Sequence, residues 1–286
     1  MGTYVVSGSA SGMGREAAER LRAAGHIVIG VDIKDADVVA DLSTESGRRE
    51  AVDAVLRRCD GVLDGAVLAA GIGPIPGREQ LIAEVNFFGV VDVVTGLRSA
   101  FARAGRAKIV VVSSNSTTVT PLVPRRAIRA LLAGDGVRAL RAVRVFRTRS
   151  APMIYAASKI ALSRWVRRNA VTPAWAGAGI RLNAIAPGAV MTPLLEEQLA
   201  DPAEARAITA FPVPIGGFGD AGQLADWMVF MLSDAADFLC GSVIFVDGGS
   251  DAYFRPDSWP ARLPAAMLPR YTARFLGYRR VMRRSR

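Results

Sequence analysis

Thr3-Tyr-Val-Val-Ser7-Gly8-Ser-Ala-Ser-Gly12-Met-Gly14 is the stretch that decides the fold of this 286-residue chain. A short run of mostly apolar residues is followed at once by a glycine-rich turn and the start of a helix. Gly8 permits the tight turn, Gly12 lets the backbone approach a pyrophosphate, and Gly14 lets the helix pack closely on the strand. Helix N–H groups would then face the phosphates, although such a turn also occurs without a ligand. The predicted contacts are Gly8, Ser11, Gly12, Met13 and Gly14.

The rest of residues 1–250 alternates short β-branched runs with helical stretches. Strands are predicted at residues 3–7, 27–32, 65–69, 108–113, 180–186 and 242–247. Helices are predicted to begin near Gly14, Ser46 and Glu79, and to span 152–170 and 222–233. This alternation predicts an α/β fold, a doubly wound Rossmann-type parallel sheet with helices on both faces. No repeat or linker interrupts it, so residues 1–250 are predicted to form a single domain.

Two segments depart from the alternation and carry most of the positive charge. Residues 115–150 hold eight Arg and one Asp, and residues 251–286 hold nine Arg and two Asp. Each segment therefore has a net charge of +7 in a chain of +10, which leaves −4 for the remainder. The body of the protein is mildly acidic, and the basic character is local.

The first basic segment is predicted to be a helical insertion. Its apolar spacing and its Gly134-Asp-Gly136 turn predict a hairpin of residues 125–133 and 137–146 with one buried face and one arginine face. A packed hairpin with a solvated arginine face, a subunit interface, a lid and a site for an acidic partner all fit this pattern.

The second basic segment is a C-terminal extension that mixes aromatics with arginines over residues 267–286. Disorder or docking on a partner subunit would accommodate it. Weak contact with an anionic membrane surface and nonspecific attraction to nucleic acid are the alternatives. No specific nucleic-acid partner is expected.

Cysteine, histidine and hydropathy patterns exclude several classes of protein. Cys59 and Cys240 are too few for a disulfide framework and are expected to be inert thiols. The single histidine, His26, lies between a helix end and a strand, so no metal site is expected. No apolar run reaches the ~18 residues that span a bilayer. The N-terminus lacks the basic region and cleavage site of a secretory signal, so we expect a cytoplasmic protein.

Asp32, at the end of the second predicted strand, bears on the choice of dinucleotide. A carboxylate there accepts hydrogen bonds from the adenosine ribose hydroxyls and repels a 2′-phosphate, which favours NAD over NADP. Lys34, two residues further on, argues the other way. Asp41 could flank the adenine or be a solvated loop carboxylate. The further predicted contacts of the cofactor are Ile33, Asp41, Leu42, Ala70 and Gly71.

Tyr155 and Lys159 are four residues apart on a predicted helix, so their side chains share one face. A phenol with a pKa near ~10 is a poor acid–base catalyst at neutral pH. A neighbouring cation favours the phenolate and lowers that pKa. Together with the glycine turn, the pair indicates an enzyme that moves a hydride and a proton.

These residues resemble the motifs of the short-chain dehydrogenase/reductase family, in family order over residues 1–250. The matching positions are the glycine turn, Asp32, Ala70-Gly71, Asn86 in Val85-Asn-Phe-Phe-Gly89, Ser113-Ser114, Tyr155, Lys159, Arg181-Leu-Asn-Ala-Ile-Ala-Pro-Gly188 and Asp247-Gly-Gly249. Residues 30–44, the insertion and residues 247–252 are most similar to the bacterial 3α-hydroxysteroid dehydrogenase/carbonyl reductase subgroup. The gap between Ser114 and Tyr155 is longer than is usual in the family, and the insertion accounts for the difference.

The resemblance implies four catalytic positions. Tyr155 would be the general acid–base, and Lys159 would lower its pKa and hold the nicotinamide ribose. Ser114, with Ser113 as the adjacent alternative, would hydrogen-bond the substrate oxygen. Asn86 would place a water that links Lys159 to solvent, unless backbone satisfies its side chain within the helix.

The substrate end is predicted to follow the strand that ends near Ala186. Pro187, Gly188, Val190 and the Thr192 hydroxyl could contact the nicotinamide end of the cofactor, because open α/β sheets bind ligands beyond their strand ends. Residues 193–218 would form a mobile cover. Its apolar positions, Met191, Leu194, Leu195 and Phe211, favour a bulky hydrophobic substrate, although core packing is the commoner role for each.

The resemblance thus implies an NAD-dependent oxidoreductase that interconverts a secondary alcohol and a ketone on a hydrophobic substrate such as a 3α-hydroxysteroid. A carbonyl or alcohol dehydrogenase for another lipophilic substrate is the alternative among enzymes. A non-catalytic NAD-binding scaffold is the alternative outside them. The family also suggests a homodimer or homotetramer.

Overall fold

The computed structural model describes residues 1–259 and 261–283 of the chain. Its centre is a seven-stranded parallel sheet with the order β3-β2-β1-β4-β5-β6-β9, and β7 and β8 form a separate parallel pair. The strands are β1 Thr3–Ser7, β2 Ile27–Asp32, β3 Val38–Val39, β4 Gly65–Leu68, β5 Lys108–Val112, β6 Arg181–Pro187, β7 Val190–Met191, β8 Gly219–Asp220 and β9 Val243–Val246. The predicted doubly wound Rossmann-type sheet is confirmed.

Helices cover both faces of this sheet. They are α1 Gly12–Ala23, α2 Glu45–Arg58, α3 Glu79–Ala83, α4 Val90–Gly96, α5 Arg98–Ala104, α6 Ser116–Val119, α7 Arg125–Leu132, α8 Gly136–Val143, α9 Ser150–Asn169, α10 Pro193–Ala200, α11 Pro202–Thr209, α12 Ala221–Leu232, α13 Ser250–Phe254 and α14 Leu268–Arg283. Leu21 of α1 and Met228 of α12 pack on one face. Val55 of α2, Val94 of α4 and Leu162 of α9 pack on the other.

Strand β5 shows why the sequence forms this sandwich. Ile109, Val110, Val111 and Val112 are consecutive and all buried. Because successive side chains of a strand point to opposite faces, Ile109 and Val111 join one cluster and Val110 and Val112 join the other. A parallel sheet covered on both faces needs such a continuous apolar run.

Most of the predicted element limits agree with the structure to within one or two residues. Strands predicted at 65–69, 108–113, 180–186 and 242–247 are observed at 65–68, 108–112, 181–187 and 243–246, and the helices predicted at 152–170 and 222–233 at 150–169 and 221–232. The two-residue strands β3, β7 and β8 and the helices α10 and α11 were not predicted. A two-residue strand is too short to leave a periodic pattern in the sequence.

The predicted helical insertion before the Tyr155 helix is also confirmed. Helices α7 and α8 form a hairpin, and Gly134 adopts a φ of +80° between them. The carboxylate of Asp135 accepts a hydrogen bond from the Arg138 N–H at 2.8 Å and thereby caps α8. Ile128 and Leu131 are buried, whereas all eight arginines of the segment are exposed. The arginine face therefore points to solvent.

The second helix of the hairpin is shorter than predicted. It was expected to span residues 137–146, but α8 ends at Val143 and a 3₁₀ segment, Arg144–Arg149, follows. Arg147 has a φ of 50° and a ψ of −114°, outside the helical region. This break lets the chain turn into α9.

Among the described residues, no single helix combines the length and apolar character that a membrane crossing requires. One pair bent by 48°, Glu79–Gly96 with Arg98–Ala104, meets the criteria by length and composition.

Candidate active site

Helix α9 presents Tyr155 and Lys159 toward the end of strand β5. The Lys159 Nζ lies 5.9 Å from the centroid of the Tyr155 ring, so the ammonium sits alongside the phenol. The same Nζ donates a hydrogen bond to the Val112 carbonyl at 2.9 Å. Ser114, two residues after β5, lies beside the Tyr155 hydroxyl and acts to lower its pKa. The predicted Ser, Tyr and Lys therefore meet at the carboxyl edge of the sheet.

The two adjacent serines point in different directions. Ser113 Oγ lies 2.7 Å from Ser163 Oγ and donates to the Lys159 carbonyl at 3.4 Å, within the core. Ser114 Oγ accepts a hydrogen bond from the Ser116 N–H at 3.1 Å and contacts Tyr155. Of the two, Ser114 is the serine positioned beside the phenol.

Burial dominates the electrostatics of this cluster. It raises the pKa of the Tyr155 phenol, and the hydrogen bond from Ser114 acts in the opposite direction. Burial also lowers the pKa of Lys159 to about 8. Burial therefore moves the pKa of Lys159 toward neutral pH and the pKa of Tyr155 away from it.

Asn86 lies in a π-helical turn, Glu84–Gly89, between α3 and α4. Its Oδ1 accepts a hydrogen bond from the Ile72 N–H at 2.9 Å, and its Nδ2 donates to the Ile72 carbonyl at 2.9 Å. The side chain thus clamps the loop that follows β4. The sequence left open an Asn whose side chain is hydrogen-bonded by backbone, and this is what the structure shows. The backbone partner, Ile72, lies in the loop after β4 and not in the same helix. Its role in a water relay to Lys159 stays a prediction.

The backbone around the glycine turn packs so closely that Gly8 and Gly14 leave no space for a side chain. A Cβ on Gly14 would lie 2.1 Å from the Gly8 carbonyl oxygen, and a Cβ on Gly8 would lie 2.7 Å from the Ala70 nitrogen. Gly8 and Gly12 have φ values of +71° and +52°, which glycine adopts readily. Ser11 is the N-cap residue of α1, but its side chain makes no capping hydrogen bond. The first turn of α1 holds no acidic residue. Free N–H groups at an uncapped helix start fit the pyrophosphate of a dinucleotide.

Asp32 connects this turn to the end of β2. One carboxylate oxygen accepts a hydrogen bond from the Ala10 N–H at 2.9 Å, and the other accepts one from the Ile33 N–H at 2.7 Å. A carboxylate has about four acceptor sites, so both oxygens keep capacity for ribose hydroxyls. Lys34, two residues further on, is exposed.

The other predicted cofactor contacts are distributed around the same edge. Leu42 is buried, whereas the exposed Asp41 accepts a hydrogen bond from the Ser43 N–H at 2.9 Å. That bond matches the loop role that the sequence left open for Asp41. A Cβ on Gly71 would lie 3.0 Å from Asn86 Oδ1, so the backbone beyond β4 passes directly over the Asn86 clamp.

Two side chains that position these contacts were not predicted. Ser7 Oγ accepts a hydrogen bond from the Ala70 N–H at 3.2 Å and joins the glycine turn to the loop after β4. Arg48 is buried; it donates to the Leu42 carbonyl at 3.2 Å and lies 3.0 Å from Glu84 Oε2. No sequence signal identifies Arg48, because an arginine within a polar helix normally lies in solvent.

The segment predicted to form the substrate end follows β6. The Gly188 N–H donates to the Val246 carbonyl at 3.1 Å, and Val190 is buried in β7. Thr192 Oγ1 accepts a hydrogen bond from the Leu195 N–H at 3.4 Å, so it caps α10, while its methyl group faces Gly12. Thr192 therefore lies beside the glycine turn, and its hydroxyl can still donate to a ligand.

The cover predicted over residues 193–218 contains α10, α11 and a loop. Leu195 is buried, Met191 is 37 % exposed, and the Phe211 ring lies 5.5 Å from the Phe254 ring. The Leu194 side chain lies outside the described parts. The mobility of this cover stays a prediction.

Two polar atoms near Ser114 stand out. Asn115 Nδ2 and Ser116 Oγ are buried and have no hydrogen-bond partner within the described part of the chain. Buried polar atoms are normally paired, so these two atoms next to Ser114 are exceptions.

Comparison with known proteins identifies the family. A family model described as enoyl-(acyl carrier protein) reductase matches residues 8–251. The chain is 38 % identical to the 3-alpha-hydroxysteroid dehydrogenase/carbonyl reductase of Comamonas testosteroni over 256 residues, which cover 90 % of this chain and 99 % of that protein. It is 32 % identical to 3beta-hydroxysteroid dehydrogenase 1 of Eggerthella lenta over 271 residues, covering 88 % and 94 %.

A solved structure agrees with this assignment. The 3-alpha-hydroxysteroid dehydrogenase from Pseudomonas sp. B-0831, complexed with NADH, superimposes with a TM-score of 0.84 at 42 % identity, covering 90 % of this chain and 100 % of that chain. The chain therefore belongs to the short-chain dehydrogenase/reductase family. It is an oxidoreductase acting on CH–OH groups.

Proposed function

We propose that this protein is an NAD-dependent dehydrogenase/reductase that interconverts a secondary alcohol and a ketone on a hydroxysteroid-like substrate. The observation that carries the proposal is the meeting of Ser114, Tyr155 and Lys159 at the carboxyl edge of the sheet. The two relatives named for hydroxysteroids support the substrate class.

The side chains divide the proton chemistry among them. Tyr155 takes the proton of the substrate hydroxyl during oxidation and returns it during reduction. Ser114 donates a hydrogen bond to the substrate oxygen and holds it against the phenol. Lys159, at 5.9 Å from the Tyr155 ring, stabilises the phenolate through its positive charge. NAD, when bound, accepts or returns the hydride.

The residues around the glycine turn would hold that cofactor. The N–H groups at the start of α1 face the pyrophosphate, and Asp32 accepts hydrogen bonds from the adenosine ribose. Gly71 and Thr192 border the same space from the two neighbouring loops. Asn86 keeps the first of these loops in place through its two bonds to Ile72.

Asp32→Ala tests the cofactor preference. Removal of the carboxylate abolishes both the ribose hydrogen bonds and the repulsion of a 2′-phosphate. We expect kcat/KM with NAD to fall about ten- to a hundred-fold while kcat/KM with NADP stays level or rises. Asp35→Ala, which removes a carboxylate three residues away, is the matched control. A parallel fall with both cofactors would mean that Asp32 only supports the loop through Ala10 and Ile33.

The substrate class is tested by NADH formation from a panel of alcohols. The purified chain is mixed with NAD and 3α-hydroxysteroids, 3β-hydroxysteroids or simple lipophilic alcohols. Preferential turnover of the 3α-hydroxysteroids supports the proposal. Turnover of the simple alcohols alone favours a carbonyl or alcohol dehydrogenase for another lipophilic substrate. NADH binding without turnover of any alcohol or ketone favours a non-catalytic NAD-binding scaffold.

A further inference from the structure

Helix α14 exposes a row of large apolar side chains. Leu268, Tyr271, Phe275 and Tyr278 succeed one another at spacings of three, four and three residues, so they share one helix face. Their exposed fractions are 60 %, 52 %, 71 % and 62 %. The rings of Tyr271 and Phe275 stack with centroids 6.3 Å apart. We call these four residues the apolar stripe; an exposed patch of this kind marks an interaction site.

The apolar stripe lies beside a groove and between cations. The groove has a volume of about 400 Å³ and runs between α14 and the chain before it, where Leu263 and Met267 complete its lining. Arg270 and Arg274 line the same groove and are exposed. The surface thus offers apolar and cationic groups side by side.

The charge of the tail identifies the occupant. Residues 251–286 carry nine Arg and two Asp, a net charge of +7. Two tails packed stripe to stripe would bring these like charges together, which opposes pairing with a second copy. A nucleic-acid duplex would pair with the arginines through its phosphates and leave the aromatic rings in water. An anionic bilayer takes up both, because its headgroups attract arginine while its acyl boundary accepts aromatic and aliphatic side chains.

We propose that residues 251–286 are a membrane-surface anchor that lays the apolar stripe of α14 into an anionic lipid bilayer. All of this segment except residue 251 lies beyond the part of the chain matched by the family model, which covers residues 8–251. Of this segment, residues 260 and 284–286 lie outside the described residues. The anchor does not depend on the substrate proposed above.

The tail leaves the body at the active-site edge of the sheet. Its first helix, α13, follows β9 and packs against α6, which begins two residues after Ser114. The Asp247 carboxylate caps α13 by accepting from the Asp251 N–H at 2.7 Å, and the Arg255 guanidinium lies 5.8 Å from the Phe245 ring. The root of the anchor is therefore firmly attached close to the catalytic side chains.

Vesicle co-sedimentation of the full chain tests the anchor. We expect binding to vesicles of phosphatidylcholine with phosphatidylglycerol, little binding to pure phosphatidylcholine, and release at high salt. The double variant Tyr271→Ser/Phe275→Ser should bind roughly ten-fold more weakly because it loses two buried rings. The double variant Arg270→Gln/Arg274→Gln should bind about thirty-fold more weakly.

Matched controls separate the tail from general surface properties. Phe238→Ser removes a fully exposed ring elsewhere, and Arg138→Gln/Arg141→Gln removes the same charge from the insertion hairpin. Both should bind vesicles like the parent protein, and all variants should keep its circular dichroism spectrum and its NADH binding.

Three results would overturn the anchor. The first is no difference between anionic and neutral vesicles at low salt. The second is light scattering in which Tyr271→Ser/Phe275→Ser dissociates an oligomer while vesicle binding is unchanged, because the apolar stripe would then bind a second copy. The third is binding to a DNA duplex that exceeds vesicle binding and ignores the aromatic substitutions, which would assign the arginines to nucleic acid.

Discussion

Tyr155→Phe is expected to lower kcat for alcohol oxidation by about a thousand-fold and to leave the affinity for NADH within about two-fold. The substitution removes the hydroxyl to which the proposed mechanism assigns the proton exchange with the substrate, and it keeps the aromatic ring. Ser114 keeps its hydrogen bond from the Ser116 N–H at 3.1 Å, so the loop after β5 stays in place. Steady-state kinetics and a fluorescence titration with NADH measure the two quantities.

The pH profile adds a second signature for Tyr155. Burial raises the pKa of its phenol, and the hydrogen bond from Ser114 acts in the opposite direction. Since the proposed mechanism makes the phenolate the base in oxidation, the oxidation rate of the parent protein should rise as the pH rises, and its reduction rate should fall. The residual rate of Tyr155→Phe should lack this dependence.

Tyr278→Phe, which removes a hydroxyl from an exposed ring in the tail, is the control for loss of a phenol. It should keep the kcat and the pH profile of the parent protein. A kcat for Tyr155→Phe within about ten-fold of the parent value would show that another group exchanges the proton.

The core of the fold could be predicted because its signals are local. The alternation of β-branched runs and helices located six of the strands to within two residues. The glycine turn could be recognised from its glycines because such a turn needs positive φ values, which glycine adopts most readily. Gly8 has a φ of +71°. The spacing of Tyr155 and Lys159 placed them on one helix face, and the structure brings Ser114 to the same point.

The remaining contacts depend on elements that are distant in the sequence. Asn86 was predicted as a site residue from the family resemblance, but its clamp on Ile72 requires the loop after β4 to lie against the π-helical turn. The choice between Ser113 and Ser114 depends on Ser163, 50 residues away from Ser113. The early end of α8 also had no local signal, because the residues of the 3₁₀ segment continue the helical pattern.

Lys159→Met is expected to abolish most of the activity and at the same time to stabilise the folded protein near neutral pH. Lys159 is only 4 % exposed, and burial lowers its pKa to about 8 from the usual 10.5. Below pH 8 the folded protein must keep a buried charge, which costs about 3 kcal/mol. Loss of the hydrogen bond to the Val112 carbonyl offsets about 1 kcal/mol of that gain. The free energy of unfolding near pH 7 should therefore rise by about 2 kcal/mol.

The pH dependence of stability identifies the cause of this gain. Between pH 8 and 10.5 Lys159 is protonated in the unfolded chain and deprotonated in the folded protein. Unfolding in this pH range therefore takes up one proton at Lys159. The stability that this group confers on the parent protein thus increases with pH across that window. The contribution of Lys159 is the difference between the free energies of unfolding of Lys159→Met and the parent protein at each pH. The advantage of the variant should shrink toward alkaline pH.

Lys108→Met is the matched contrast, because it removes another buried lysine that has acidic partners. Lys108 Nζ lies 3.0 Å from Asp234 and 2.7 Å from Asp237, and hydrogen bonds to these carboxylates raise its pKa although burial opposes them. Its removal should destabilise the protein and leave kcat close to the parent value. If Lys159→Met also destabilises the protein at pH 7, the Lys159 ammonium has stabilising partners in the folded state. The buried charge at the active site would then not lower the stability of the parent protein.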